Sequence, residues 1–251
     1  MLRQTPQDIG ILRVDWILFA TAFAAGCVDI IGFTSLGGVF ASAMTGNFAL
    51  LAYHVAQGNS RSAIGSLVAL AGFVTGCVIG FVLRRGRAER TTLELLLGAE
   101  MGLLLVFALQ ASWNAAPAAV AAARLMIVTL AVAMGLQAVV GQMISHSTIV
   151  FTTTLTRLVG GVTNAIAAGN STALADVKVP LALVASYLIG ALLAGFLSLH
   201  GIRQAVFLPL AGVAVAFGAQ EIHLVALAPD GRDEPVDGGD LRRTGRRRIR
   251  Q

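Results

Sequence analysis

Residues 30–60 contain no Asp, Glu, Lys or Arg. As one straight helix this stretch would be about 47 Å long at 1.5 Å per residue. A bilayer core is only about 30 Å thick. The stretch has no charged face with which to meet water, and it is too long for one membrane crossing. It has to fold back on itself within or beside lipid.

That lipid is the solvent follows from the rest of the chain. Residues 63–83, 125–145 and 179–199 also carry no charge, and a crossing helix needs roughly 20 such residues. Charged residues make up 12% of the chain and hydrophobic ones 56%, with a mean hydropathy of +0.79. A soluble domain carries about 25% charged residues. The expected fold class is therefore all-α, a polytopic transmembrane helix bundle, because helices satisfy their own backbone groups in lipid. Eight apolar segments stand out, at 16–35, 39–57, 62–83, 92–113, 122–145, 149–168, 179–200 and 204–225. Residues 1–228 read as one transmembrane domain. Residues 229–251 hold Gly, Pro, Asp and Arg with almost nothing apolar, which predicts a disordered basic cytoplasmic tail. Arg3 and Arg13 precede the first segment as they would in a signal peptide, but the segments that follow favour an uncleaved first helix.

Two halves of the domain, 14–113 and 118–225, look like pseudo-repeats. Gly72, Gly76 and Gly80 recur every fourth residue in one, as do Ser186, Gly190 and Ala194 in the other. Phe73 follows the first small residue in one set, and Tyr187 in the other. This spacing predicts a helix-packing face through Gly72, Gly76, Gly80 and Gly190. Eight crossings would put either Arg84–Arg90 or the arginines of the tail outside, against the positive-inside rule. Six full crossings, with 39–57 and 149–168 broken or re-entrant, bring both clusters and the amino terminus to the cytoplasmic side. The halves are then inverted relative to each other.

The net charge of +5 does not point to nucleic acid, because the arginines flank apolar runs as topology anchors do. Membrane lipid is the expected partner, and a homo-oligomer is compatible with the sequence. Cys27 and Cys77 lie inside apolar runs and suggest neither a disulfide nor a metal site. No phosphate loop, dinucleotide fingerprint or nucleophile elbow is present, so neither an enzyme nor a cofactor is expected.

Ionisable groups within lipid are costly and tend to be functional. Asp29 heads the candidates, as a proton or cation site or as one member of a structural pair. Arg157 in segment 149–168 is a partner for Asp29 across the pseudo-symmetric centre, a contact for an anionic solute, or a snorkelling side chain. Thr45-Gly46-Asn47 is a polar break in an apolar stretch, suited to line a cavity or to form a surface loop. Thr152, Thr153 and Thr154 supply hydroxyls in the other half. Gln137 falls roughly where Asp29 does in the first half. Glu100 reads as a proton carrier, a partner of Arg124 or a near-interface group.

The motifs Gly26-x-x-Asp29 with Gly32-Phe33, then Met44-Thr45-Gly46-Asn47, resemble the first-half signature of the YoaK-like bacterial membrane proteins of unknown function. Met134-Gly135-Leu136-Gln137 and Thr152-x-Thr154-Leu155-Thr156-Arg157-Leu158 resemble the second-half signature, with Thr153 where the family often has Gly. The resemblance covers about residues 14–225 and implies a bacterial inner membrane location. The functional expectation is a secondary transporter or permease for a small solute, with a proton or ion as its companion. Asp29, Thr45, Gly46, Asn47, Gln137, Thr152 to Thr154 and Arg157 would line its pathway. The alternative is a non-transporting structural or regulatory protein that binds a partner or lipid.

Overall fold

A computed structural model describes residues 6–113, 120–144, 151–168 and 175–227. The tail falls outside the described residues, as does the loop before 151. The chain is an all-α polytopic bundle. Its helices are α1 (Pro6–Ser35), α2 (Met44–Ala56), α3 (Ser60–Arg84), α4 (Glu89–Trp113), α5 (Val120–Met143), α6 (Phe151–Ala168), α7 (Ala175–Leu199) and α8 (Leu208–Leu227), with a 3-10 helix at Arg203–Phe207. Five of them contain stretches long and apolar enough to cross a membrane: Trp16–Ser35, Ser60–Arg84, Glu89–Trp113, Val120–Met143 and Val177–Leu199. α8 has 20 residues, and its side chains are described as far as Gln220.

The helices that do not cross can be identified from what shares a level. Ser35 and Leu36 at the carboxyl end of α1 line one cavity with Arg61 and Ser62 at the amino end of α3 and Val120 and Ala123 at the amino end of α5. They line a second cavity with Ala111 near the end of α4 and Ser198 near the end of α7. α2 therefore leaves and returns at that end of the bundle. At 13 residues it is about 20 Å long, too short to span. α6 joins the carboxyl end of α5 to the amino end of α7, both at the opposite end. Both interrupted segments turn back to the side they came from.

The turn that starts the first of them is local chemistry. Gly37 and Gly38 hold φ of +90° and +80°, a region glycine enters freely. The Gly38 N–H donates to the Phe33 carbonyl at 3.2 Å, closing α1 in the manner of a helix carboxyl cap. Asn59 then caps α3, its Oδ1 accepting from the Ser62 N–H at 3.2 Å, which satisfies one of the free amides at a helix start.

The core is built by exchange between the first and last helices. α1 packs on α7 and α8, while α5 packs on α3 and α4. The two main junctions follow one pattern. A Cβ on Gly26 would collide with the Tyr187 carbonyl, and one on Gly190 with the Phe23 carbonyl. At the other junction, Gly135 faces the Phe73 carbonyl and Gly76 the Val132 carbonyl. Glycine at these four places lets the helix backbones touch, which is how helices gain contact in lipid. Gly72 approaches the Ala131 Cβ and Gly80 the Val139 side chain, so they extend the second junction. The thiols serve the same contacts: Cys27 Sγ lies 3.3 Å from the Gly190 carbonyl and Cys77 Sγ 3.5 Å from that of Gly135.

Candidate functional site

After the Gly37-Gly38 turn the chain runs back along α1. The Val39 carbonyl lies against Gly32, and the Phe40 ring stacks on Phe33 with centroids 5.2 Å apart. This return brings residues 42 and 43 to Asp29, which is 1% exposed. Asp29 Oδ1 accepts from the Ser42 N–H at 2.7 Å and from the Ala43 N–H at 3.4 Å. Oδ2 accepts from Ser42 Oγ at 2.6 Å and from the Tyr187 hydroxyl at 2.9 Å. The carboxylate thus sits just ahead of the amino end of α2, where free amides and the helix dipole favour negative charge. It fastens three parts of the chain: α1, the re-entrant turn and α7.

Asn47 performs a second fastening. It is fully buried, its Oδ1 accepts from the Phe40 N–H at 2.9 Å, and its Nδ2 donates to the Phe40 carbonyl. A side-chain amide here substitutes for the neighbouring strand that an extended segment lacks. Gly46 is needed beside it, because a Cβ would come within 2.9 Å of the Phe40 ring. Thr45, just before Gly46, is exposed.

The remaining residues expected on one pathway are not gathered with these. Gln137 is buried, and its Nε2 donates to the Thr21 carbonyl at 3.0 Å. It is not the counterpart of Asp29: the Gly26 and Gly135 contacts set the register, and three residues beyond each glycine stand Asp29 and Ala138. Thr152, Thr153 and Arg157 are exposed on α6, with Thr154 partly buried. α6 packs on α7 and α2 on α3, so the two polar interruptions do not meet. The Asp29–Arg157 pair is not formed. The carboxylate is filled by local donors, and the ion pair found among the described residues is Arg90–Glu94 on α4, at 2.9 Å.

Two contributors escape a reading by position alone. Ser42 and Tyr187 complete the Asp29 site, and the only advance signal was that Tyr187 takes the place of Phe73 in the repeated spacing. Glu100, already a candidate from the sequence, is a separate case. It lies near the middle of α4, is 0% exposed, and neither carboxyl oxygen has a hydrogen-bond partner among the described residues. It makes no ion pair with Arg124, which lines the cavity at the amino end of α5. Gln220 on α8 is also buried with its amide unpartnered, and α8 packs on α4. No group of three or more potential metal ligands occurs among the described residues.

A family model described as "Protein of unknown function (DUF1275)" matches residues 17–219. The UPF0700 transmembrane protein YoaK of Bacillus subtilis (strain 168) is 34% identical over 125 residues, which are 48% of this chain and 53% of that protein. The match thus spans about half the length of this curated relative. No solved structure matches.

Proposed function

We propose, on the premise that the chain belongs to the DUF1275 family, that it is a secondary transporter for a small solute with Glu100 as its coupling group. One observation carries the reading. A carboxyl group in the middle of a membrane bundle costs about 2.5–3.5 kcal/mol to insert on biological scales, and no hydrogen bond or ion pair among the described residues offsets that cost here. The charged groups on the elements packed against α4 lie away from it. Arg124 is near the start of α5, Arg203 is in the 3-10 helix, and Arg61 and Arg84 are at the ends of α3. Residues 208–220 of α8 carry no charge. A polar group kept at such expense without structural return suits the reversible holding of a proton or cation.

The architecture supports this. The reciprocal α1–α7 and α5–α3 junctions fit two inverted halves, an arrangement on which many secondary transporters rock. α8 supplies the sixth crossing. The amino terminus, Arg84–Arg90 and the tail then face the cytoplasm of a bacterial inner membrane. Asp29 holds the re-entrant α2 in place, and Thr45, at the start of α2, is open to solute.

The test uses proteoliposomes with an imposed pH gradient and a panel of ions, small anions, sugars and nucleobases. Collapse of the gradient by at least one solute in the wild type, and at least tenfold slower collapse in a Glu100→Gln variant of unchanged thermal stability, is the expected result. If no solute moves, the non-transporting reading takes its place; if the variant matches the wild type, Glu100 is not the coupling group.

A further inference from the structure

The end of the bundle opposite the Arg84–Arg90 cluster carries its own positive charge, with no ion pair to balance it among the described residues. A cavity of about 220 Å³ opens there between α1, α3 and α5, lined by Arg61, Arg124, Ser35, Ser62, Gly37 and Gly65. Neither arginine makes an ion pair or a side-chain hydrogen bond among the described residues. The connecting segments at this end, 36–59, 114–119 and 200–207, contain no Asp or Glu. A neighbouring cavity of about 440 Å³ shares Ser35 and Leu36 and adds Arg203.

Arg61 is exposed and Arg124 half-buried at this cavity, so their like charges repel through partly screening solvent, and arginine beyond the cytoplasmic face works against orderly insertion. A bound negative charge would offset both costs. The donors suit an oxyanion. Guanidinium presents paired N–H groups that match carboxylate and phosphate oxygens. The Ser35 and Ser62 hydroxyls add neutral donors. The amino ends of α3 and α5 both border the cavity and contribute partial positive charge to it. We infer that the cavity between Arg61 and Arg124 is an anion site for a phosphate-type oxyanion, reached from the non-cytoplasmic side. The inference goes beyond the transport reading and stands whether or not the protein moves a solute.

The phosphate group can come from solution or from a lipid headgroup, and two arms of one experiment separate the sources. In the first, thermal unfolding of the purified full chain in neutral detergent is followed with inorganic phosphate against chloride at equal ionic strength. In the second, the chain is reconstituted with phosphatidylglycerol and phosphatidylcholine, and retained lipid is counted by native mass spectrometry. A Tm rise of roughly 2–4 °C at several times the Kd, lost in Arg61→Gln/Arg124→Gln, supports a soluble oxyanion. Phosphatidylglycerol retention lost in the same variant, without a phosphate shift, supports the headgroup. Should that variant not fold, Arg61→Lys/Arg124→Lys keeps the charge and removes the fork, and at least a threefold weaker effect is expected. A phosphate shift or lipid retention equal in wild type and variant, or absent from both arms, overturns the site.

Discussion

The α1–α7 and α3–α5 junctions are alike in backbone and unlike in chemistry. At each, a glycine on one helix meets a carbonyl oxygen of the other, reciprocally. Three residues past the first glycine, one junction has Asp29, buried and hydrogen-bonded to Tyr187, and the other has Ala138. Where the first has Tyr187, the second has Phe73. Close packing has thus been kept twice, while the polar load is carried once. The difference shows that packing does not require the polar cluster. Asp29 is there for the re-entrant turn, whose residues 42 and 43 it holds.

The comparison breaks most readily at its shared part. Gly26→Val and Gly135→Val each drive a side chain into a facing carbonyl, and each is expected to cost about 3 kcal/mol, at the upper end of overpacking. Monodisperse yield and Tm in detergent report it. A junction that tolerates Val would show the two are not built alike.

The polar part comes next. Asp29→Ala strands the Ser42 and Ala43 N–H groups and is expected to cost about 2–3 kcal/mol, with faster hydrogen exchange at residues 40–47. Asp29→Asn should cost about 1 kcal/mol, since its amide can donate to the Ser42 and Tyr187 oxygens while its carbonyl keeps the backbone donors. Equal losses for Ala and Asn would mean that charge, and not hydrogen bonding, is what holds the turn.

The smallest effects sharpen the contrast. Tyr187→Phe removes one hydrogen bond and should lower Tm by roughly 2–4 °C, for about 1 kcal/mol. Phe73→Tyr adds a hydroxyl with no carboxylate to meet and should bring no gain. A rise in its Tm would reveal a polar partner near Ala138.

What the sequence alone discloses follows the same division. Lipid imposes long charge-free helices, so the class of fold and the segments were legible, and the excess length of 30–60 required a turn where Gly37-Gly38 supplies one. The glycine spacing announced where backbones touch. Asp29 was legible because charge in lipid is costly, whereas its partners were not. Ser42 and Tyr187 are ordinary residues 13 and 158 positions away, and no periodicity links such distances. Glu100 was visible as a residue, but its isolation was not, since position along a helix does not tell which neighbours face it. The Arg157 pairing failed because α2 and α6 return to opposite ends of the bundle.

The span from Asp29 to Tyr187 also has a meaning in time. Chains are made at about 5–20 residues per second, so an interval of roughly 8–30 s separates the synthesis of the two partners. During that interval the first helix is in the bilayer without the seventh and eighth, on which it will rest. The backbone amides of residues 42 and 43 are available to the carboxylate almost at once. The re-entrant loop therefore serves as a temporary escort for a nascent charge, holding it until the late helix arrives with the last hydroxyl.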